Sequence, residues 1–168
     1  PYSDMLDTSG VSVYTQKELN KLVREVYKRG LQIAMHAIGD KAIEMAITAM
    51  ENILSTCELR KNTRFRLIHA SIMRDDLLRR LKKLPVVLDV QPILMRQSIM
   101  WAEKRLGKER VKHMYPFKTF IENGLRLAGG SDSPVEDMNP FWGIYFAVNR
   151  KNLDGYPKGG WYPEQKIS

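Results

Sequence analysis

Apolar positions recur along this chain with two periods, and the two periods alternate. Thr15 opens a T-Q-K-E string in which Glu18 can reach back to the cap. Leu19, Leu22, Val23, Val26 and Tyr27 follow at helical spacing until Gly30. A short apolar run, Leu31 to Met35, then ends in His36. Beyond Gly39-Asp40, a broad stripe of Ala42, Ile43, Ala46, Ala49, Met50 and Ile53 predicts a second helix. Phe65 to Ile68 reads as a second strand ending in His69. Residues 74–83 read as a helix that Pro85 breaks, and Val86 to Val90 as a third strand ending at Gln91-Pro92. A longer excursion follows, with a helix over 96–106, a short helix or turn over 108–113, and a helix from Pro116 through Glu122. Asn123-Gly124 closes it, and Leu125 to Ala128 forms a fourth strand before Gly129-Gly130-Ser131-Asp132. Pro140 starts a last apolar helix, Phe141 to Val148. Residues 1–13 and the Gly-, Pro- and Tyr-rich stretch from Lys151 read as turn and loop. Strands alternating with helices predict parallel strands joined by right-handed crossovers, an α/β fold.

Composition narrows the setting without naming a function. With 168 residues, 43% of them hydrophobic and 27% charged, the chain has the make-up of one soluble globular domain. No apolar run approaches the roughly 20 residues of a membrane span, and no basic-plus-apolar leader opens it, so a cytoplasmic setting is expected. A single cysteine, Cys57, excludes an internal disulfide framework and a multi-cysteine zinc site. The net charge of +8 is concentrated, since residues 58–118 carry 16 basic and 6 acidic side chains. A nucleic-acid surface would pair such charge with interleaved aromatics or a recognition motif, and neither accompanies it. The expectation is that Arg79, Arg80, Lys82, Lys83, Lys104, Arg105, Lys108 and Lys112 lie on solvated outer faces of helices, with no nucleic-acid partner.

The placement of a few polar residues is more informative. His36 and His69 both stand at the carboxyl end of a predicted strand, and Asp132 follows the fourth strand by a Gly-rich turn. Residues one and two βα units apart converge at one end of a parallel sheet, where α/β proteins place their chemistry. Two neutral imidazoles suit a divalent metal such as zinc, and a nearby carboxylate can take a proton from a metal-bound water. Spacing alone leaves a second reading equally open, in which both histidines are buried hydrogen-bonding residues.

Several ordered motifs carry a resemblance. His36-Ala37-Ile38-Gly39-Asp40-Lys41-Ala42 resembles the strand-five signature of the metal-dependent amidohydrolases, in the amidohydrolase-3 branch that includes N-substituted formamide deformylase. Arg66-Leu67-Ile68-His69-Ala70 is similar to the next strand. Val90-Gln91-Pro92, Pro116-Phe117, Gly130-Ser131-Asp132-Ser133-Pro134-Val135, Asn139-Pro140, Ala147-Val148-Asn149-Arg150 and Gly160-Trp161-Tyr162-Pro163-Glu164-Gln165 follow in family order. The resemblance implies a partial TIM barrel, a half barrel of the (βα)4 type carrying strands five to eight. It implies that His36 and His69 are metal ligands, that zinc is the metal, and that Asp132 is the catalytic acid/base. Gln91, at the mouth, is expected either to touch a small amide-type substrate or simply to cap its strand. The reaction implied is hydrolysis of an amide- or formamide-type C–N bond by an activated water.

The departures from the family pattern set further expectations. The His-x-His pair of the family's first strand and its strand-four ligand are absent, the only histidines being His36, His69 and His113. Ile68 stands where relatives often carry Glu. With Pro1 as its first residue, the chain is expected to be one domain, a piece of a longer hydrolase, and inactive alone. Unpaired outer strands predict association, with a second copy as a homodimer or with the missing barrel half. The alternative class is a non-catalytic binding or regulatory module on a degenerate hydrolase fold. The remaining residues have plainer expected roles: His113 on the surface, Cys57 inert, Asp40 at a helix N-terminus, and Glu136 and Asp137 in a solvated loop. Met35, Met45, Met50, Met95, Met100 and Trp101 are expected in the core or lining a pocket, and Arg150 is left as an ion-pair anchor or a substrate contact.

Overall fold

The computed structural model describes residues 1–168. Four strands, β1 (Ala34–Ala37), β2 (Phe65–His69), β3 (Val86–Val90) and β4 (Arg126–Gly129), form one sheet in the order β1-β2-β3-β4. All three pairings are parallel. Six helices accompany them: α1 (Gln16–Lys28), α2 (Asp40–Thr56), α3 (Asp75–Leu81), α4 (Met95–Arg110), α5 (Phe117–Glu122) and α6 (Pro140–Asn149). Sequential order with uniformly handed crossovers stacks the helices on one side, whereas a doubly wound sheet reverses its order at a switch point. The α/β half barrel expected from sequence is therefore the architecture observed.

Alternation along the strands separates two faces. Met35 and Ala37, Phe65 and Leu67, and Val86, Leu88 and Val90 are buried, and all belong to one continuous core of 35 buried residues. Ile43, Ala46, Ile47, Met50 and Ile53 of α2, Leu77, Leu78 and Leu81 of α3, and Phe117 and Phe120 of α5 join them. The opposite face carries His36, Ile68, Asp89 and Ala128 in one hydrogen-bonded row. Ala34, Arg66, Val87 and Arg126 form the row below it. On this uncovered face Arg66 Nε donates to Asp89 Oδ2 at 2.7 Å.

The caps follow the local chemistry. Thr15 and Glu18 form a reciprocal capping box at α1, and Asn139 accepts from Phe141 N at the start of α6, where Pro140 occupies the first turn. Strand β1 begins at Ala34 rather than Leu31, because the first carbonyl to receive a bond from β2 is that of Ile33, from Arg66 N. The strand runs on to Ala37, so His36 is its third residue rather than its last. Helix α4 runs longer than its apolar pattern and bends at Gly107, whose φ is +79°. A Cβ there would lie 2.6 Å from Ser3 Oγ, because the N-terminal segment is strapped across α4 by Ser3 N to Arg105 O (2.8 Å) and Arg110 Nη1 to Pro1 O (2.8 Å).

Basic residues from the charged middle third lie on the outer layer, as expected, and several are paired there. Arg80 grips Glu51 of α2 through two nitrogens at 2.7 and 3.0 Å. Arg74 grips Asp76 at 2.8 and 3.0 Å and reaches Asp40 at 3.2 Å. Met100 and Trp101 depart from expectation, being 69% and 46% exposed. They fall off the helical face through which Ser98, Ile99, Ala102 and Leu106 pack. Glu136 also departs, since it is buried and accepts from Gln97 Nε2 at 3.0 Å.

Arg150 resolves into neither of its expected roles. It is fully buried and makes no ion pair; its Nε donates to Trp161 O at 2.6 Å and its Nη1 to Tyr115 O at 3.0 Å. The guanidinium also lies 5.5 Å from the Trp161 ring centre and 6.0 Å from that of Phe117. Burial pulls its pKa down to about 10, still well above neutrality. The side chain thus ties the end of α6 to the Tyr115 turn and the C-terminal segment.

Arg150→Ala leaves the Trp161 carbonyl without its donor, leaves Tyr115 O with only the bond from Phe117 N, and empties a fully buried side-chain site; the unsatisfied acceptor alone is worth roughly 1–3 kcal/mol. The substituted chain is expected to lose about 3 kcal/mol or more in urea unfolding followed by tryptophan fluorescence. A second expectation concerns acid. The hydrogen bond from Arg74 holds the Asp76 carboxyl at about 2, below its ordinary 3.8. Its contribution is present above the unfolded pKa and fades as pH falls from about 4 towards 2. Asp76→Asn should flatten stability against pH across that window in acid titrations.

Candidate metal-dependent active site

Each sequence-predicted site residue sits at the carboxyl end of the sheet. His36 is the third residue of β1 on the uncovered face, and His69 closes β2, where Ala37 is its partner in register. Strict alternation would send His69 with Phe65 and Leu67 into the helix-covered layer. Left-handed backbone at His69 (φ +73°) and Ala70 (φ +49°) breaks that alternation. The His69 ring meets His36 edge to face, with centroids 4.5 Å apart and planes at 77°. Ala70 N donates to Ala37 O at 3.1 Å and Ile72 N to Ile38 O at 3.2 Å, which pins the strained turn. Such conformations cost on the order of 1–3 kcal/mol each and persist where the surroundings over-determine them.

Asp132 arrives from the turn after β4. Gly130 N donates to Val90 O at 2.9 Å, anchoring that turn to the end of β3, and Asp132 itself is left-handed at φ +61°. Its Oδ2 lies 3.8 Å from His69 Nε2, and its side chain is 40% exposed, so the carboxylate faces both the ring and the mouth. Gly129 and Gly130 have no atom within 4 Å of where a Cβ would stand, so the rim beside Asp132 is open. Gln91, following β3, is 6% exposed, and its Nε2 donates to Asp89 O at 2.9 Å. His36, His69, Gln91 and Asp132 are therefore gathered at one rim. His113 is not, since its ring faces Asp75, the first residue of α3, at 3.9 Å.

Burial, and then the neighbouring His36, push the His69 pKa down, while Asp132 and Gln91 oppose them. The ring is therefore held neutral near pH 7, the state that can donate a nitrogen lone pair. Two adjacent imidazoles, one kept neutral and carrying a buried Nδ1 with no hydrogen-bond partner, fit the donor chemistry of a divalent metal. Nowhere does the chain gather three His, Cys, Asp or Glu side chains that could hold such an ion together. Two imidazoles are fewer donors than such an ion takes. Asp89 belongs to the neighbourhood but escaped the sequence reading. The signal was present, as a lone carboxylate inside the apolar run Val86–Val90.

Titrating the His69 ring by NMR should give a midpoint below the ordinary imidazole value of about 6.5. Asp132→Asn removes an effect that favours the charged ring and should lower that midpoint further. His36→Ala should raise it. Shifts of the opposite sign in these two chains would contradict the arrangement described.

Known proteins bear on this geometry. The sequence pattern of the amidohydrolase family matches residues 1–167. The protein YtcJ of Bacillus subtilis (strain 168) is 40% identical over 153 residues, which are 90% of this chain and 28% of that protein. N-substituted formamide deformylase of Arthrobacter pascens is 26% identical over 153 residues, 88% of this chain and 27% of that enzyme. The crystal structure of an uncharacterized metal-dependent hydrolase from Pyrococcus horikoshii OT3 superposes with a TM-score of 0.84 at 36% identity. It covers 99% of this chain and 32% of that one. The chain thus spans about a third or less of the length of the proteins it matches.

Proposed function

This chain belongs to the amidohydrolase family, and we propose that it forms the strand-five-to-eight half of a metal-dependent hydrolase acting on an amide- or formamide-type C–N bond. The observation that carries this reading is the edge-to-face pair of His36 and His69, with Asp132 3.8 Å from His69 Nε2, at the carboxyl end of a parallel half barrel. The substrate class rests on the likeness to the Arthrobacter formamide deformylase.

In this reading His36 and His69 hold a divalent metal, zinc in the first instance, together with donors from outside this chain. A bound zinc supplies Lewis acidity and makes water reactive at neutral pH. Asp132 takes the proton lost by the attacking water and delivers it to the departing nitrogen, so the C–N bond breaks without expelling an amide anion. Its partial exposure lets it reach both, and its backbone turn, bonded to Val90 O, keeps it in place.

The uncovered sheet face supports a partner that completes the barrel. Strands β1 and β4 each have one unpaired edge, and the face between them carries Arg66 and Arg126 with Asp89 as its acidic partner. Closing the barrel would enclose Arg126, and an enclosed cation requires a counter-charge. The completing half would therefore present a carboxylate to this face. Two copies placed face to face would instead set arginines against arginines. Without that half, the open edges favour self-association, read as a homodimer.

The test compares hydrolysis of N-substituted formamides, with added Zn²⁺, by this chain alone and by this chain joined to the first two thirds of the Bacillus relative. The joined protein should turn over. Asp132→Asn in it should lower kcat by roughly 10²–10⁴-fold, the usual contribution of general acid–base catalysis. The isolated chain should be inactive and self-associated in light scattering. Full-rate turnover by a monodisperse monomer would overturn the half-barrel reading, and a joined protein that is folded, zinc-loaded and inert would overturn the proposed reaction.

A further inference from the structure

Positive charge is unevenly placed on the fold. All four strands are parallel, so the segments that lead into them share one end of the sheet, opposite the rim of His36 and His69. The lead-in to β1 carries Lys28 and Arg29, that to β2 Arg60, Lys61 and Arg64, and that to β3 Lys82 and Lys83. Glu58 is the only carboxylate among residues 28–33, 57–64 and 82–85, so this end holds a net +6 of the chain's +8. All seven cations are exposed, and no ion pair of the fold includes any of them. Helices α1, α2 and α3 end here, and the negative ends of their dipoles offset about half a charge each, which leaves most of the excess in place.

Two of these segments form one prepared surface. Arg60 N donates to the Tyr27 hydroxyl at 2.9 Å, and the Arg60 guanidinium lies 4.2 Å from the centre of the Tyr27 ring. Gln32 Nε2 donates to Arg64 O at 3.1 Å, so the lead-ins to β1 and β2 are held side by side. A cleft of about 200 Å³ remains between them, lined in part by Leu31, Arg60 and Arg64. Each segment also exposes a leucine beside its cations. Leu31, 58% exposed, follows Arg29-Gly30, and Leu59, 43% exposed, precedes Arg60-Lys61. The nearby aromatic rings, Tyr27 and Phe65, are buried, so no nucleic-acid base could stack on them. A second copy of the chain would bring the same charge to the contact.

We propose that this end of the fold docks on an anionic lipid surface. The cations meet headgroup phosphates, the cleft between Arg60 and Arg64 receives one of them, and Leu31 and Leu59 enter the headgroup layer. Because bonds within the fold already order this surface, little conformational freedom is lost on docking. The rim at the carboxyl end of the strands then faces away from the lipid and stays open. Docking of this kind is independent of the reaction proposed above.

Co-sedimentation with vesicles tests the docking. The chain should bind vesicles of phosphatidylcholine and phosphatidylglycerol in equal parts and should leave pure phosphatidylcholine vesicles unbound. Raising salt from about 0.1 to about 1 M shortens the Debye length from about 10 to about 3 Å and should weaken binding about tenfold or more. The combined substitutions Lys28→Gln, Lys61→Gln and Arg64→Gln should cost about tenfold or more as well. Lys17→Gln, Lys104→Gln and Lys108→Gln together remove equal charge from α1 and α4 away from that end, and should change binding by less than about threefold. Leu31→Ser with Leu59→Ser should weaken vesicle binding about fivefold or more and leave binding to soluble polyglutamate unaltered. Equal binding to pure phosphatidylcholine, or equal loss in the two triple variants, overturns the proposal. So does a leucine double variant that binds vesicles as the parent does. Tighter binding of polyglutamate or duplex DNA than of mixed vesicles at the same salt overturns it too, since the partner is then a soluble polyanion.

Discussion

Parallel strands cannot be joined by hairpins, so each strand of this sheet is reached by a crossover that runs back over one face. With the order β1-β2-β3-β4, every crossover returns on the same side. Helices bury that side in an apolar layer and leave the other bare, and every strand delivers its carboxyl end to a single rim. His36, His69, Gln91 and the turn that bears Asp132 meet there because of this register. A slip of one residue in β1 would exchange His36 for Met35 or Ala37 on the uncovered face.

The same constraint explains where the backbone departs from comfort. His69, Ala70 and Asp132 are left-handed at the rim, and Tyr115, Arg150 and Tyr162 are left-handed where the C-terminal segment docks. In the first group the unusual backbone breaks the alternation of β2 and puts Asp132 within 3.8 Å of the His69 ring. In the second, it lets one buried guanidinium bind the carbonyls of Tyr115 and Trp161. The rim is thus held from outside by Arg150 and from within by the bonds of the strand-end turns.

Charge is distributed by the same geometry. Basic side chains of the middle third sit over the helices, where Arg74 and Arg80 meet carboxylates of neighbouring elements. Arg66 and Arg126 stand instead on the bare face, where Asp89 is the only carboxylate in the two inner rows. Helix α6 also exposes an apolar stripe of Phe141, Ile144 and Val148. No helix is long and apolar enough to cross a membrane.

Much of this was legible in the residues alone. Period-2 and period-3.6 apolar patterns, the Thr15–Glu18 cap and the breaks at Gly30, Pro85 and Gly124 located the four strands and the major helices, because these signals are local and each residue carries its own preference. The strand-end positions of His36, His69 and Asp132 followed from the same periodicity, and the ordered motifs named the family. What the sequence could not decide depended on partners distant along the chain. The true start of β1 waited on which carbonyl Arg66 N would reach, and the burial of Glu136 waited on Gln97. The carbonyl-bonded, rather than ion-paired, setting of Arg150 waited on Tyr115 and Trp161. Edge-to-face contact between two imidazoles, and the buried Nδ1 that results, arise only when β1 and β2 lie side by side and the backbone turns left-handed at His69. Sequence determined which groups the rim would receive; tertiary structure decided their distances, burial and protonation, because those are set by neighbours that only the folded chain brings together.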